Sequence, residues 1–193
     1  MEEFEMKFLE VDVAKLEEKL ISIGAVKVAE YNYIRTVFDA TENSTSSADG
    51  WVRVRTDGKE TTLTYKRSIQ EKAEDGSIKN IGMTEIEVEV NDYEKACELV
   101  RAIGLFENKT EKNKRIRYVK GDIVFDIDFW PFIPVYLEIE SDSYEKVRNA
   151  AWELDFDPEI GVIGTAGSVY EKYGIHINEY SSVTFEGMIK KIS

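Results

Sequence analysis

From Glu3 to Phe8 the chain alternates charged and apolar side chains (Glu3-Phe4-Glu5-Met6-Lys7-Phe8), the period of a strand with one polar and one apolar face. Two carboxylates and an ammonium share the polar face, which taken alone is a face that meets water. Asp12 then stands as N-cap to a helix over Val13–Ile23, whose Val13, Leu16, Leu20 and Ile23 fall at helical spacing ahead of Gly24. β-Branched and aromatic residues between Ala25 and Asp39 predict a long second strand, and Thr41–Gly50 reads as a polar loop. Trp51–Arg55 alternates again, and an Asp57-Gly58 turn leads into Thr61–Lys66. A second polar loop, Glu71 to Asn80, precedes Thr84–Val90, where Glu85, Glu87 and Glu89 oppose three aliphatic residues. Asn91 caps a second helix ending near Ile103. Asn113–Val119 and Ile123–Asp128 form a hairpin around Lys120-Gly121-Asp122, and Pro131 and Pro134 make a rigid connection into Val135–Glu140. Ser143–Leu154 and Ser168–Tyr173 carry helical signals, and residues from about 174 to 193 are expected to form a helical tail.

The charges on the eight strands are segregated. Glu85, Glu87 and Glu89 make an acidic row, whereas Arg53 with Arg55 and Arg115 with Arg117 make basic rows. Like charges opposite one another on neighbouring strands are unfavourable, so such rows need partners. Eight antiparallel strands closed into a barrel, with helices on the apolar outer face, turn the polar face into a lumen. The expected fold is therefore α+β: an eight-stranded antiparallel β-barrel with helices outside, one domain over 1–193 with its core at about 1–173. The lumen would hold a basic set (Lys7, Arg53, Arg55, Lys66, Arg115, Arg117) and an acidic set (Glu3, Glu5, Glu85, Glu87, Asp126, Asp128, Glu138, Glu140). Charges inside a protein are costly unless paired or bound to ligand, and a polyphosphate carrying divalent cations satisfies both sets.

Composition narrows the partners. With 38 acidic against 25 basic residues the net charge is -13, which repels nucleic acid and anionic membrane. Cys97 is the single cysteine and His176 the single histidine, which excludes an intramolecular disulfide and a His-rich or thiolate metal site. Carboxylate oxygens remain, and these suit Mg²⁺, Mn²⁺ or Ca²⁺. No apolar run approaches the roughly 20 residues that span a bilayer, and the start of the chain lacks signal-peptide character, so a cytoplasmic location is expected.

The set Glu3-x-Glu5-x-Lys7, Arg53-x-Arg55, Lys66, Glu85-x-Glu87, Arg115 with Tyr118, Asp128 and Glu138-x-Glu140 resembles the CYTH superfamily, also called the triphosphate tunnel metalloenzymes, over roughly Glu3 to Glu140. Its members include class IV adenylyl cyclases, thiamine triphosphatases and inorganic triphosphatases. The resemblance implies that Lys7, Arg53, Arg55, Lys66 and Arg115, with Arg117 as a substitute contact, grip phosphates, and that Glu3, Glu5, Asp128, Glu138 and Glu140 hold Mg²⁺ or Mn²⁺. It implies catalytic roles for Lys7, Lys66, Glu85 and Glu87, the two glutamates orienting the basic residues or the metal's waters. Two positions depart from the family pattern. Asn113 stands where the family often has a basic residue, and Arg35-Thr36-Val37-Phe38-Asp39 replaces the family's Asp-x-Tyr-Phe-Asp, with Tyr33 on the same strand face.

The implied function is metal-dependent hydrolysis of a triphosphate, with tripolyphosphate, ATP and thiamine triphosphate as open substrates. Conversion of ATP to cyclic AMP and pyrophosphate is the alternative, and a non-catalytic triphosphate sensor the second. Trp51, Tyr65, Trp130 and Tyr136 are candidates either for stacking on a base or for ordinary packing. A homodimer is compatible by family analogy.

Overall fold

A computed structural model describes residues 2–40, 50–72, 76 and 78–192, with backbone alone for 2, 3 and 78–82. The elements run β1 (Glu2–Leu9), α1 (Val13–Ser22), β2 (Val26–Asp39), β3 (Trp51–Thr56), β4 (Thr61–Lys72), β5 (Ile78–Val90), α2 (Tyr93–Ala102), β6 (Phe106–Lys120), β7 (Ile123–Phe129), β8 (Tyr136–Ser141), α3 (Tyr144–Glu153), α4 (Ala166–Lys172), β9 (Tyr180–Thr184) and β10 (Gly187–Lys190). Eight strands follow one another antiparallel in the order β6-β2-β3-β4-β5-β1-β8-β7, and β7 pairs again with β6. The sheet therefore curls back on its own first strand, as the alternation predicts.

The two faces of this sheet divide by polarity. Met6, Phe8, Phe125, Ile127, Leu137 and Ile139 are buried on its outside, under Leu16 and Leu20 of α1 and Val147, Ala150 and Ala151 of α3. Phe38 and Val54 are covered in the same way by Ala96, Cys97 and Val100 of α2. Arg35, Arg53 and Arg55, which alternate with these residues along β2 and β3, consequently face inward. The covering is incomplete: Ile86 and Val88 on the outer face of β5 are 63% and 50% exposed, so an apolar stripe is left without a helix over it.

β1 is fixed on its two edges by different means. Along β8 it is paired from Phe4 to Leu9, whereas β5 reaches it at Glu2↔Thr84 and Glu3↔Met83. Farther along that second edge Lys7 exchanges two backbone hydrogen bonds of 2.9 Å with Val162. Gly161 makes this approach feasible, because a Cβ there would stand 2.3 Å from Met6 Cγ.

Three expectations need correction, and a fourth falls outside the described residues. Glu71–Asn80 is not a loop throughout: β4 continues to Lys72 and β5 begins at Ile78, with Lys72↔Ile78 still in register. Three polar residues in succession, Gln70-Glu71-Lys72, hid the end of β4 from a reading based on alternation. The second helix is capped by Asp92, which accepts from Lys95 N, rather than by Asn91. The tail is not helical; after a single 3-10 turn at Ile177–Glu179 it forms the β9–β10 hairpin. The reason is tertiary. β7 covers β6 from Lys114 onward, leaving Thr110 and Glu111 with a free edge, and β9 pairs parallel to them while Val183 packs with Trp130, Tyr136, Val169 and Tyr170. Finally, of the expected loop Thr41–Gly50, residues 41–49 lie outside those described.

Candidate active site

The inward face encloses a cavity of about 560 Å³, within the usual range for ligand sites. Among the described residues eight cationic and eight anionic side chains line it, a balanced set inside a chain of charge -13.

One wall is acidic and comes from β1 and β8. Glu5 lies directly opposite Glu140, and Lys7 opposite Glu138. Carboxylate oxygens of Glu5, Glu138 and Glu140 lie within 4.8 Å of one another. The Lys7 ammonium, 1% exposed, stands 2.8 Å from Glu5 Oε1 and 3.0 Å from Glu138 Oε2. Burial works against its charge, yet Glu138 and Glu5 overcome this and hold its pKa above the ordinary lysine value. Burial likewise pushes Glu138 up, but Lys7 and Arg115 outweigh it and keep this carboxyl well below the usual range. At Glu5 burial prevails over Lys7, and its pKa is raised. Three hard oxygen donors at this spacing fit a divalent cation. Glu3, the remaining predicted ligand on this strand, has its backbone in β1 and its side chain outside the described atoms.

The facing wall is basic. Arg115 is anchored from behind: its Nε donates to Asp128 Oδ1 at 2.8 Å, Nη2 to Asp128 Oδ2 at 2.5 Å and Nη1 to Asp126 Oδ2 at 2.5 Å. Its Nη2 also reaches Glu138 Oε1 at 3.2 Å, joining the two walls. Arg117 makes a two-pronged pair with Asp126. Asp126 and Asp128 are 1% and 0% exposed. Asp128, expected among the metal ligands, is thus consumed by Arg115 and by Asn113 Nδ2 at 3.2 Å, and it lies behind the cavity surface rather than on it. The distinction escapes a sequence pattern because Asp128 and Glu138 both point to the polar side of neighbouring strands.

Across the lumen Arg53 donates to Thr64 Oγ1 and Glu87 Oε2 at 3.3 and 3.4 Å, and Arg55 lies 3.8 Å from Glu87. Burial, with Arg55 and Arg35 nearby, drives the Arg53 pKa down. Burial raises Glu87, but Thr64, Arg55 and Arg53 reverse this and leave it below its ordinary value. Lys66 forms an ion pair with Glu85 directly opposite it. Lys7, Arg53, Arg55, Lys66, Glu85, Glu87, Arg115, Arg117, Glu5, Glu138 and Glu140 therefore all line one cavity.

Sequence reasoning missed several parts of it, among them Asp39 of β2 and Lys109 and Glu111 of β6. Arg35 lines the lumen, its Nη2 donating to Asn113 Oδ1 and its guanidinium 4.7 Å above the Trp130 ring. An arginine inside a strand of β-branched and aromatic residues was the available signal. A further part is the chain from Ile163 to Ser168 with Glu171, Ile177 and Asn178, which has no charge pattern to announce it. Of the four aromatic candidates, Trp51, Trp130 and Tyr136 line the cavity, although Trp130 and Tyr136 are 5% and 1% exposed and pack in the core. Tyr65 points to the outer face, since the adjacent Lys66 points in.

A family model described as CYTH domain matches residues 1–166. No match was found among curated proteins. Among solved structures, PH1012 protein from Pyrococcus horikoshii OT3 superposes with a TM-score of 0.69 at 21% identity, covering 84% of this chain and 94% of that one. A candidate adenylate cyclase from Vibrio parahaemolyticus gives a TM-score of 0.68 at 11% identity, over 89% and 98% of the two chains. A candidate adenylyl cyclase from Hippeastrum, described by its dominant triphosphatase activity, gives 0.56 at 12% identity, over 90% and 96%. Likeness at such identities speaks to the fold.

Proposed function

Because the chain belongs to the CYTH domain family, we propose that it binds a triphosphate with Mg²⁺ or Mn²⁺ in the lumen and hydrolyses it. The observation that carries this reading is the pair of opposed walls: carboxylates of Glu5, Glu138 and Glu140 converging within 4.8 Å, faced by inward guanidinium and ammonium groups. An anion alone would be repelled by the first wall and a cation alone by the second. A metal–polyphosphate complex matches both.

In this reading Arg53, Arg55, Lys66, Arg115 and Arg117 bind non-bridging oxygens. Asp126 and Asp128 hold the last two arginines in fixed orientation, so little ordering is left for the moment of reaction. Glu5, Glu138 and Glu140, with Glu3 as a further ligand, hold the cation, which when bound neutralises phosphate charge and acidifies coordinated water. Lys7, clamped between Glu5 and Glu138, keeps those carboxylates turned inward and presents an N–H to phosphate. Glu85 and Glu87 orient Lys66, Arg53 and Arg55. Positioning and charge neutralisation supply most of the rate in such chemistry. No described helix is long and apolar enough to cross a membrane, and we assign the activity to the cytoplasm.

A second reading, cyclisation of ATP by attack of the ribose 3′-hydroxyl on the α-phosphorus with loss of pyrophosphate, draws on Trp51 and Trp130 in the lining, where a base would stack. The test is to incubate the protein with tripolyphosphate or ATP and Mg²⁺ or Mn²⁺ and to quantify orthophosphate, pyrophosphate and cyclic AMP separately. Orthophosphate supports the hydrolase. Cyclic AMP with stoichiometric pyrophosphate replaces it with the cyclase, and binding without product replaces it with a sensor.

A further inference from the structure

Arg35 and Arg55 are register partners on β2 and β3, so two guanidinium groups stand directly opposite each other on the lumen side of an antiparallel pair. Like charges so placed are unfavourable, and more so when buried. Arg35 is 8% exposed. On its other side the register partner is Glu111, but that carboxylate is engaged by Lys109 Nζ at 3.2 Å. Among the described residues no carboxylate lies within ion-pair distance of Arg35, and its Nε, buried, has no hydrogen-bond partner.

What holds Arg35 in place is neutral. Asn113 Nδ2 donates to Asp128, which turns Asn113 Oδ1 toward Arg35 Nη2. The two guanidiniums stand over rings, Arg35 over Trp130 at 4.7 Å and Arg55 over Tyr33 at 4.5 Å. An amide oxygen and an aromatic face orient a guanidinium without cancelling its charge. Arg55 has Glu87 at 3.8 Å, whereas Arg35 is left short of negative charge.

We propose that Arg35 is a phosphate-binding residue that closes with Arg55 on one phosphoryl group of the substrate, the bound anion being the counter-charge this buried cation lacks. The proposal rests on the triphosphate reading and adds to it a ligand from β2, a strand that otherwise contributes no cation to the site. Burial, ahead of any neighbouring charge, lowers the Arg35 pKa to about 10, the direction expected of a cation awaiting an anion.

The test is calorimetric titration with tripolyphosphate, without metal and then with Mg²⁺, of the wild-type protein, Arg35→Met and Arg35→Lys. Methionine keeps apolar bulk beside Trp130 and removes the charge, whereas lysine keeps the charge and removes the planar fork. Arg35→Met is expected to bind roughly tenfold to a hundredfold more weakly, with its thermal midpoint in the free state unchanged or raised, and Arg35→Lys to retain much of the affinity. Wild-type affinity in Arg35→Met overturns the proposal. So does an equal loss in Arg35→Lys, which would make the role one of shape. Arg35→Gln gives the same comparison should the methionine variant not fold. Failure of the wild-type protein to bind tripolyphosphate is a different result, and it removes the triphosphate reading together with this extension of it.

Discussion

Glu5 and Glu140 stand directly opposite one another across β1 and β8, both facing the lumen and both within the 4.8 Å cluster completed by Glu138. Two carboxylates in register weaken a sheet unless a cation lies between them. The neighbouring register pair, Lys7 with Glu138, is of opposite sign. One strand pair thus carries a position of opposite charges beside a position of like charges, with Lys7 also 2.8 Å from Glu5 Oε1.

Adding Mg²⁺ or Mn²⁺ to the free protein is therefore expected to raise its thermal midpoint, with a stabilisation of about 2.7 kcal/mol at free ion near 100 times Kd. Glu140→Gln should reduce that shift. Glu138→Gln should abolish metal-dependent turnover with the fold intact. Scanning calorimetry with and without the ion, alongside a turnover assay, checks both variants. A full metal shift in Glu140→Gln would take Glu140 out of the site.

Arg55→Ala removes one half of the opposed arginine pair. Tripolyphosphate binding should weaken by roughly tenfold or more, as loss of a charge-assisted contact does. The free protein should melt no lower than wild type, because relief opposite Arg35 offsets the lost contact with Tyr33. A lower midpoint together with unchanged affinity would contradict the assignment.

The Lys7–Glu138 pair sets the expected pH response. Glu138 is held below its ordinary value of 4.5, so the stability it contributes is present above that pH and is lost as acid brings the pH down through its folded value. Lys7 is held above 10.5, so its contribution is complete below that pH and is lost only as the pH rises through its folded value. The pair thus adds stability evenly across the neutral range. Thermal midpoints recorded from neutral pH down to about pH 3 should fall on the acid side in wild type and fall less steeply in Glu138→Gln. Equal slopes would show that other carboxyls govern acid unfolding.

Tyr170 tests the C-terminal unit. It is fully buried, and its hydroxyl donates to Pro131 O at 2.7 Å. Tyr170→Phe leaves that carbonyl without its partner and should cost roughly 1–3 kcal/mol. In a chain of this size the midpoint then falls by about 2–4 °C per kcal/mol. No change would mean that water replaces the hydroxyl.

The barrel was legible because its strands each separate charge from aliphatic residues, as Glu85-Ile86-Glu87-Val88 does, and a two-residue period survives without knowledge of neighbours. Most of the lumen followed from the same alternation. Asp128 and Arg35 mark where that reasoning ends. Both are polar residues on the inward side, and only the pairing of β6 with β7 and of β2 with β3 decides that one backs an arginine while the other reaches the cavity. The β9–β10 hairpin was illegible for a related reason, since its docking depends on the length of β6 that β7 leaves uncovered. No property of Tyr180–Thr184 itself carries that information.

The balance of eight acids and eight bases among the described residues around the cavity has a kinetic consequence. A described lining that sums to zero leaves most of the excess of -13 on the rest of the chain. A bare polyphosphate approaching the mouth meets a repulsive field before it reaches any arginine, and one that arrives already carrying its cation meets far less of it. Added salt thins that field, so ionic strength speeds the first encounter even as it weakens the contacts inside.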